Sequence, residues 1–269
     1  MQSAGRRAIP PGVPGLGART TAGSDLGARY PNEQTQEQPR EYGRAQRYGV
    51  TKAEVRALIE EIGIIPAVRV ADRERACFGA KAVYHGGIPI AEITMTVPDA
   101  LGVIAELRAS LADMVVGAGT VLDAETAQRC LDAGALFLTS PGFVPEVVEL
   151  AVKRGVVVFP GALTPSEVIA AWKAGSDFVK IFPCDPVGSH HYIRTLKVPL
   201  PQIRLIASGG VTQHTAPDFI AAGASALGIG TQLIPAEALQ KRKETQIHEL
   251  ARRFLGMVKE ARAKANKAL

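Results

Sequence analysis

Lys180 closes the apolar run Asp177-Phe178-Val179-Lys180-Ile181-Phe182-Pro183. An ammonium group held among apolar side chains loses hydration, which favours the neutral amine, and a neutral amine can attack a carbonyl to form a Schiff base. A strand-end lysine can equally snorkel to solvent or pair with a buried acid. Its company therefore matters. Glu92, in Pro89-Ile90-Ala91-Glu92-Ile93-Thr94, is a second ionisable group set in an apolar run, where a carboxylate is costly unless paired or working. It reads either as a structural partner of Lys180 or Arg69, or as a general acid/base that passes protons through water.

A third constellation lies late in the chain. Ser208-Gly209-Gly210 and Gly230-Thr231 each follow a short apolar run, and loops of this kind on successive strands present backbone N–H groups to an anion, phosphate above all. Thr231 adds a hydroxyl donor. Arg69 either holds a carboxylate in its fork of donors or is a solvated rim charge. Phe182 walls a pocket beside Lys180 or simply packs, and Thr120, in Gly117-Ala118-Gly119-Thr120, is a turn residue or a carboxylate-binding hydroxyl. His85, His190, His191, His214 and His248 show no ligand spacing, so no metal centre is expected.

These residues need elements to position them. From Thr51 onward, short apolar runs alternate with amphipathic stretches, and a glycine recurs where each helix should end and the next strand begin: Gly87, Gly134, Gly155, Gly175 and Gly223. Eight strands are predicted: Ile64 to Val70, Pro89 to Thr94, Met114 to Ala118, Leu136 to Thr139, Val156 to Phe159, Phe178 to Phe182, Arg204 to Ala207, and Ala226 to Ile229. Near-continuous apolar strands separated by helices mean a parallel sheet covered by helices. The fold expected is α/β, a parallel eight-stranded (β/α)8 TIM barrel. The rival, a doubly wound open sheet, lacks a Gly-rich loop after its first strand. In a barrel the active site sits at the C-terminal strand ends. Those ends bring Arg69, Glu92, Thr120, Pro141, Lys180, Phe182 and the two late loops to one rim.

Residues 1–47 mix Gly, Pro, Gln and Arg with few large apolar groups, too little to offset the entropy of ordering. They read as a disordered or spurious N-terminal extension, and residues 48–269 as the barrel with a C-terminal helix. The net charge of +5 comes mostly from the chain ends, seven arginines lying in the first 47 residues. With no basic motif carrying interleaved aromatics, nucleic acid is not an expected partner, while an anionic small molecule is. Cys77, Cys130 and Cys184 lack CxxC spacing, which argues against a disulfide framework or a structural zinc site. No apolar run reaches membrane-spanning length. A cytoplasmic enzyme without cofactor is expected.

Taken in order, Ala91-Glu92-Ile93-Thr94, Val116-Gly117-Ala118-Gly119-Thr120, Ser140-Pro141-Gly142, Phe159-Pro160-Gly161, Val179-Lys180-Ile181-Phe182-Pro183 and Ser208-Gly209-Gly210-Val211 resemble the class I aldolases of the KHG/KDPG family. These act on 2-keto-3-deoxy-6-phosphogluconate (KDPG), 4-hydroxy-2-oxoglutarate and close relatives. The resemblance implies that Lys180 is the Schiff-base lysine and Glu92 the general acid/base. It places Thr120, Pro141 and Phe182 around the keto acid, puts Gly209, Gly210 and Thr231 at the phosphate, and implies a homotrimer. One position departs: Thr96 stands where many members carry an arginine that helps hold substrate. A branch acting on the galactonate-derived epimer shares that lack, and Arg69 is the substitute the resemblance offers. Two other readings remain open from the residues alone, a phosphate-binding barrel isomerase or epimerase and a sugar-acid-binding relative that has lost activity.

Overall fold

Strands covered on both faces are buried along their whole length, and the central strands here are. Ile90–Thr94 (β2) and Val115–Gly119 (β3) are buried at every residue. With Ile64–Val68 (β1), Phe137–Thr139 (β4), Val157–Phe159 (β5), Gly161–Ala162 (β6), Val179–Ile181 (β7), Leu205–Ser208 (β8) and Ala224–Ile229 (β9), they form one parallel sheet in the order β5-β4-β3-β2-β1-β9-β8-β7-β6. The structure is a computed structural model and describes residues 49–267. The extension expected over residues 1–47 lies outside the described residues.

Nine strands stand among the described residues where eight were expected, because the fifth is cut in two by Pro160. Proline has no N–H to give a ladder, yet its carbonyl still accepts from the Lys180 amide at 2.9 Å. β5 pairs with β4 on one side of the break and β6 pairs with β7 on the other, so the barrel closes through that interrupted strand. Below the break the seam is stitched by Asp177. Its amide donates to Val158 O at 2.9 Å and its carboxylate accepts from Val158 N at 3.0 Å. Lys52 of the first helix neutralises that carboxylate at 3.0 Å.

The helices alternate with the strands as expected. The first, Lys52–Ile62 (α1), starts in a capping box between Thr51 and Glu54, and Pro165–Lys173 (α6) repeats the device with Thr164 and Glu167. Each box satisfies two otherwise orphaned donors. The five junction glycines singled out in the sequence all take positive φ, from 64° to 102°, where other residues are strained. A final helix, Glu244–Lys267 (α10), packs against the second, Arg73–His85 (α2). No helix among the described residues is long and apolar enough to cross a membrane.

Candidate active site

Register decides what meets inside the barrel. Side chains alternate along an extended chain, so Phe178, just before β7, and Lys180 within it point to one side, and β7 lies across the barrel from β2. Lys180 Nζ comes within 3.7 Å of Glu92 Oε2, and the two side chains are 9% and 3% exposed. At that distance the pair attracts but is too long for a good direct hydrogen bond. The partner of Glu92 is therefore Lys180, and Arg69 is not in this pair. Nζ also stands over the ring of Phe182, 5.5 Å from its centroid. Phe159 stacks on Phe137 with centroids 5.2 Å apart and meets Phe178 edge to face at 6.2 Å, and all three rings are buried in the core.

Two glycines make room for this arrangement. A Cβ on Gly119 would fall 1.9 Å from Glu92 Oε1, so the carboxylate occupies the space a side chain would take. A Cβ on Gly161, the ladder partner of Lys180, would fall 2.1 Å from the carbonyl oxygen of Pro141. The Pro141 loop thus leans onto the strand beside the lysine. Thr120 follows Gly119 at φ 59°, a region β-branched residues rarely enter and where strain collects at ligand sites. Thr96 is exposed at the same rim, its hydroxyl 2.8 Å from that of Thr94, which donates to Val68 O at 3.2 Å.

The late loops enclose a neighbouring cavity of about 340 Å³. Arg69, Phe182, Ser208, Gly209, Gly210, Gly230 and Thr231 all line it. The carbonyls of Ser208 and Gly209 accept from the amides of Cys184 and Asp185 at 2.9 and 3.0 Å. Those bonds fix the loop with Gly209 and Gly210 at φ 81° and 97°. Arg69 follows β1, which lies between β2 and β9, so it stands between the Glu92 strand and the late glycine loops. It is exposed and makes no ion pair among the described residues. Lys180, Glu92, Thr120 and Pro141 do not line this cavity; Phe182 joins the two groups, touching both.

A buried amine facing a buried carboxylate, with a glycine-lined cavity beside them, is what an aldolase working through a Schiff base needs. A family model for KDPG and KHG aldolase matches residues 55–250, well over half of the chain. The chain belongs to the KDPG and KHG aldolase family. Members of this family are class I aldolases, carbon–carbon lyases typically working through a Schiff base. A 2-dehydro-3-deoxy-phosphogluconate aldolase of Treponema pallidum is 32% identical over 74% of this chain and 95% of its own length. Among solved structures, native KDPGal superimposes with TM-score 0.68 at 30% identity, covering 74% of this chain and 95% of that one. The KDPG aldolase of Legionella pneumophila, captured with pyruvate as a covalent carbinolamine, gives 0.69 at 26% identity over 73% and 96%.

Sequence reasoning overlooked Asp177, the other buried carboxylate among the described residues. Its place before β7, one residue outside the predicted strand Phe178 to Phe182, carried no sign that it would bridge a proline-broken neighbour. Gly119 and Gly161 stood in the motifs at the predicted strand ends, but the atoms they make room for were not legible. The histidines also differ from expectation: His85 and His248 meet at Glu244. They come from helices far apart in sequence, which spacing cannot reveal.

Proposed function

We propose that this chain cleaves a 2-keto-3-deoxy-6-phospho sugar acid, KDPG or its galactonate epimer, to pyruvate and glyceraldehyde 3-phosphate. The same site would take 4-hydroxy-2-oxoglutarate to pyruvate and glyoxylate. The observation that carries this reading is the Lys180–Glu92 pair, 3.7 Å apart and buried. Neutral Lys180 adds to C2, and loss of water from the carbinolamine gives an iminium. Glu92, through a water, takes the C4 hydroxyl proton as the C3–C4 bond breaks, and that electron pair moves toward the iminium nitrogen to leave an enamine. A proton returned to C3 restores the iminium, and water releases pyruvate and the free amine. Thr120 and Pro141 bound the keto-acid end, Phe182 walls it, and Ser208, Gly209, Gly210, Gly230 and Thr231 cradle phosphate. Arg69, standing between the two ends, replaces the positive charge that Thr96 does not supply.

The enzyme on this reading is a cytoplasmic homotrimer acting on a small keto-acid phosphate. The test is pyruvate release from the two epimers and from 4-hydroxy-2-oxoglutarate, followed by a lactate-dehydrogenase-coupled assay. Turnover is expected with at least one phosphosugar acid, faster than with the unphosphorylated substrate. Binding of all three without pyruvate formation would favour the inactive sugar-acid binder instead.

A further inference from the structure

The end of α2 and the start of α10 lie against one another outside the barrel. Gly86, just beyond α2, packs so closely that a Cβ on it would meet Cβ of Ala251 at 2.7 Å and Cα of His248 at 3.1 Å. That approach sets three side chains around one point. His85 Nδ1 lies 3.0 Å and His248 Nε2 3.2 Å from the same carboxylate oxygen, Glu244 Oε1. The two imidazoles meet edge to face at 6.2 Å between centroids. All three ligand atoms fall within 4.8 Å of one another.

We propose that His85, Glu244 and His248 form a three-ligand site for a divalent transition cation, zinc first, that staples α2 to α10. Zinc bonds imidazole nitrogen and carboxylate oxygen at about 2.0–2.2 Å in a tetrahedron, which sets neighbouring ligand atoms about 3.3 Å apart. Both nitrogen-to-oxygen separations are already near that edge length. The side chains are 50%, 43% and 22% exposed in the order His85, Glu244, His248, so the rings can turn to close the third edge and water can take the fourth position. Two nitrogen donors disfavour calcium and magnesium, which take oxygen. The neighbouring cations are engaged elsewhere, Arg242 with Glu74 and Lys243 with Glu237. Glu244 and His248 are one turn apart on α10, whereas His85 comes from α2. The site is complete only in the folded chain, so the cation stabilises the fold.

The experiment is calorimetric titration of zinc chloride into untagged, chelator-stripped full-length protein, with thermal melts on the same samples. One zinc per chain is expected, with a melting midpoint that rises on binding. His85→Gln and His248→Gln should each weaken binding by about tenfold or more and remove the thermal shift, while His190→Gln leaves both unchanged. Aldolase turnover should be the same with and without zinc. Imidazole NMR in wild-type protein gives a check independent of variant folding: zinc should perturb two of the five histidines. Absence of saturable binding, or binding that survives loss of both His85 and His248, overturns the proposal and leaves the cluster a hydrogen-bonded clasp.

Discussion

A buried lysine and glutamate stabilise one another whether or not they react, so the residue-scale question is how to separate pairing from catalysis at Glu92. Glu92→Gln removes one side of the Lys180–Glu92 pair, and breaking one side of a buried pair costs about 3–5 kcal/mol. That effect would appear in a urea melt. The catalytic role appears elsewhere: turnover per folded molecule should fall about a hundredfold or more. A variant that is less stable but turns over normally would reduce Glu92 to an ion-pair partner. Both residues were legible because a charge inside an apolar strand is conspicuous in sequence. Which of Lys180 and Arg69 faces Glu92 was not legible, since that depends on barrel register.

At the scale of elements, two glycines with different reasons for being glycine make opposite predictions. Gly119 lies in β3 and is excluded from carrying a side chain by Glu92 Oε1, 1.9 Å from where its Cβ would sit. Gly119→Ala should push the carboxylate out of line and lower turnover about 10- to 100-fold. Gly155 has φ 64° and nothing within 4 Å of its Cβ position. Gly155→Ala should cost about 1–2 kcal/mol of stability through left-handed strain alone and leave turnover per folded molecule intact. Equal turnover loss in the two variants, measured in one assay with matched melts, would contradict this division. The positive-φ glycines at helix ends were readable from their recurrence before apolar runs. The Pro160 break was hidden: the fifth strand's apolar run stops at Phe159, and nothing local shows that Gly161 and Ala162 resume pairing on the other side.

For the molecule as a whole, burial sets a pH limit on stability. Cys77, Cys130 and Cys184 are free and buried, and burial pushes their thiols up to about 11, 12 and 11. An unfolded thiol loses its proton near pH 8.5, about two units or more sooner. The folded chain then holds protons that the unfolded chain releases, so stability is intact below that pH and falls as pH rises toward 11. Urea midpoints should drop steadily across that alkaline window, and thiol reagents at neutral pH should react only after denaturation. A flat midpoint would contradict the burial. The barrel itself was legible from eight apolar runs and their spacing, because a parallel strand buried on both faces writes its whole length in apolar residues. The contact of α10 with α2 was not, since His85 and Glu244 are 159 residues apart and each helix alone looks like a solvated surface. The measurement that bears most directly on the Schiff-base claim is borohydride reduction in the presence of pyruvate, followed by intact mass and peptide mapping. A single reduced pyruvate adduct on Lys180, lost in Lys180→Arg because arginine stays charged and forms no imine, is the expected result. No adduct on folded protein, or an adduct on another lysine, would contradict it.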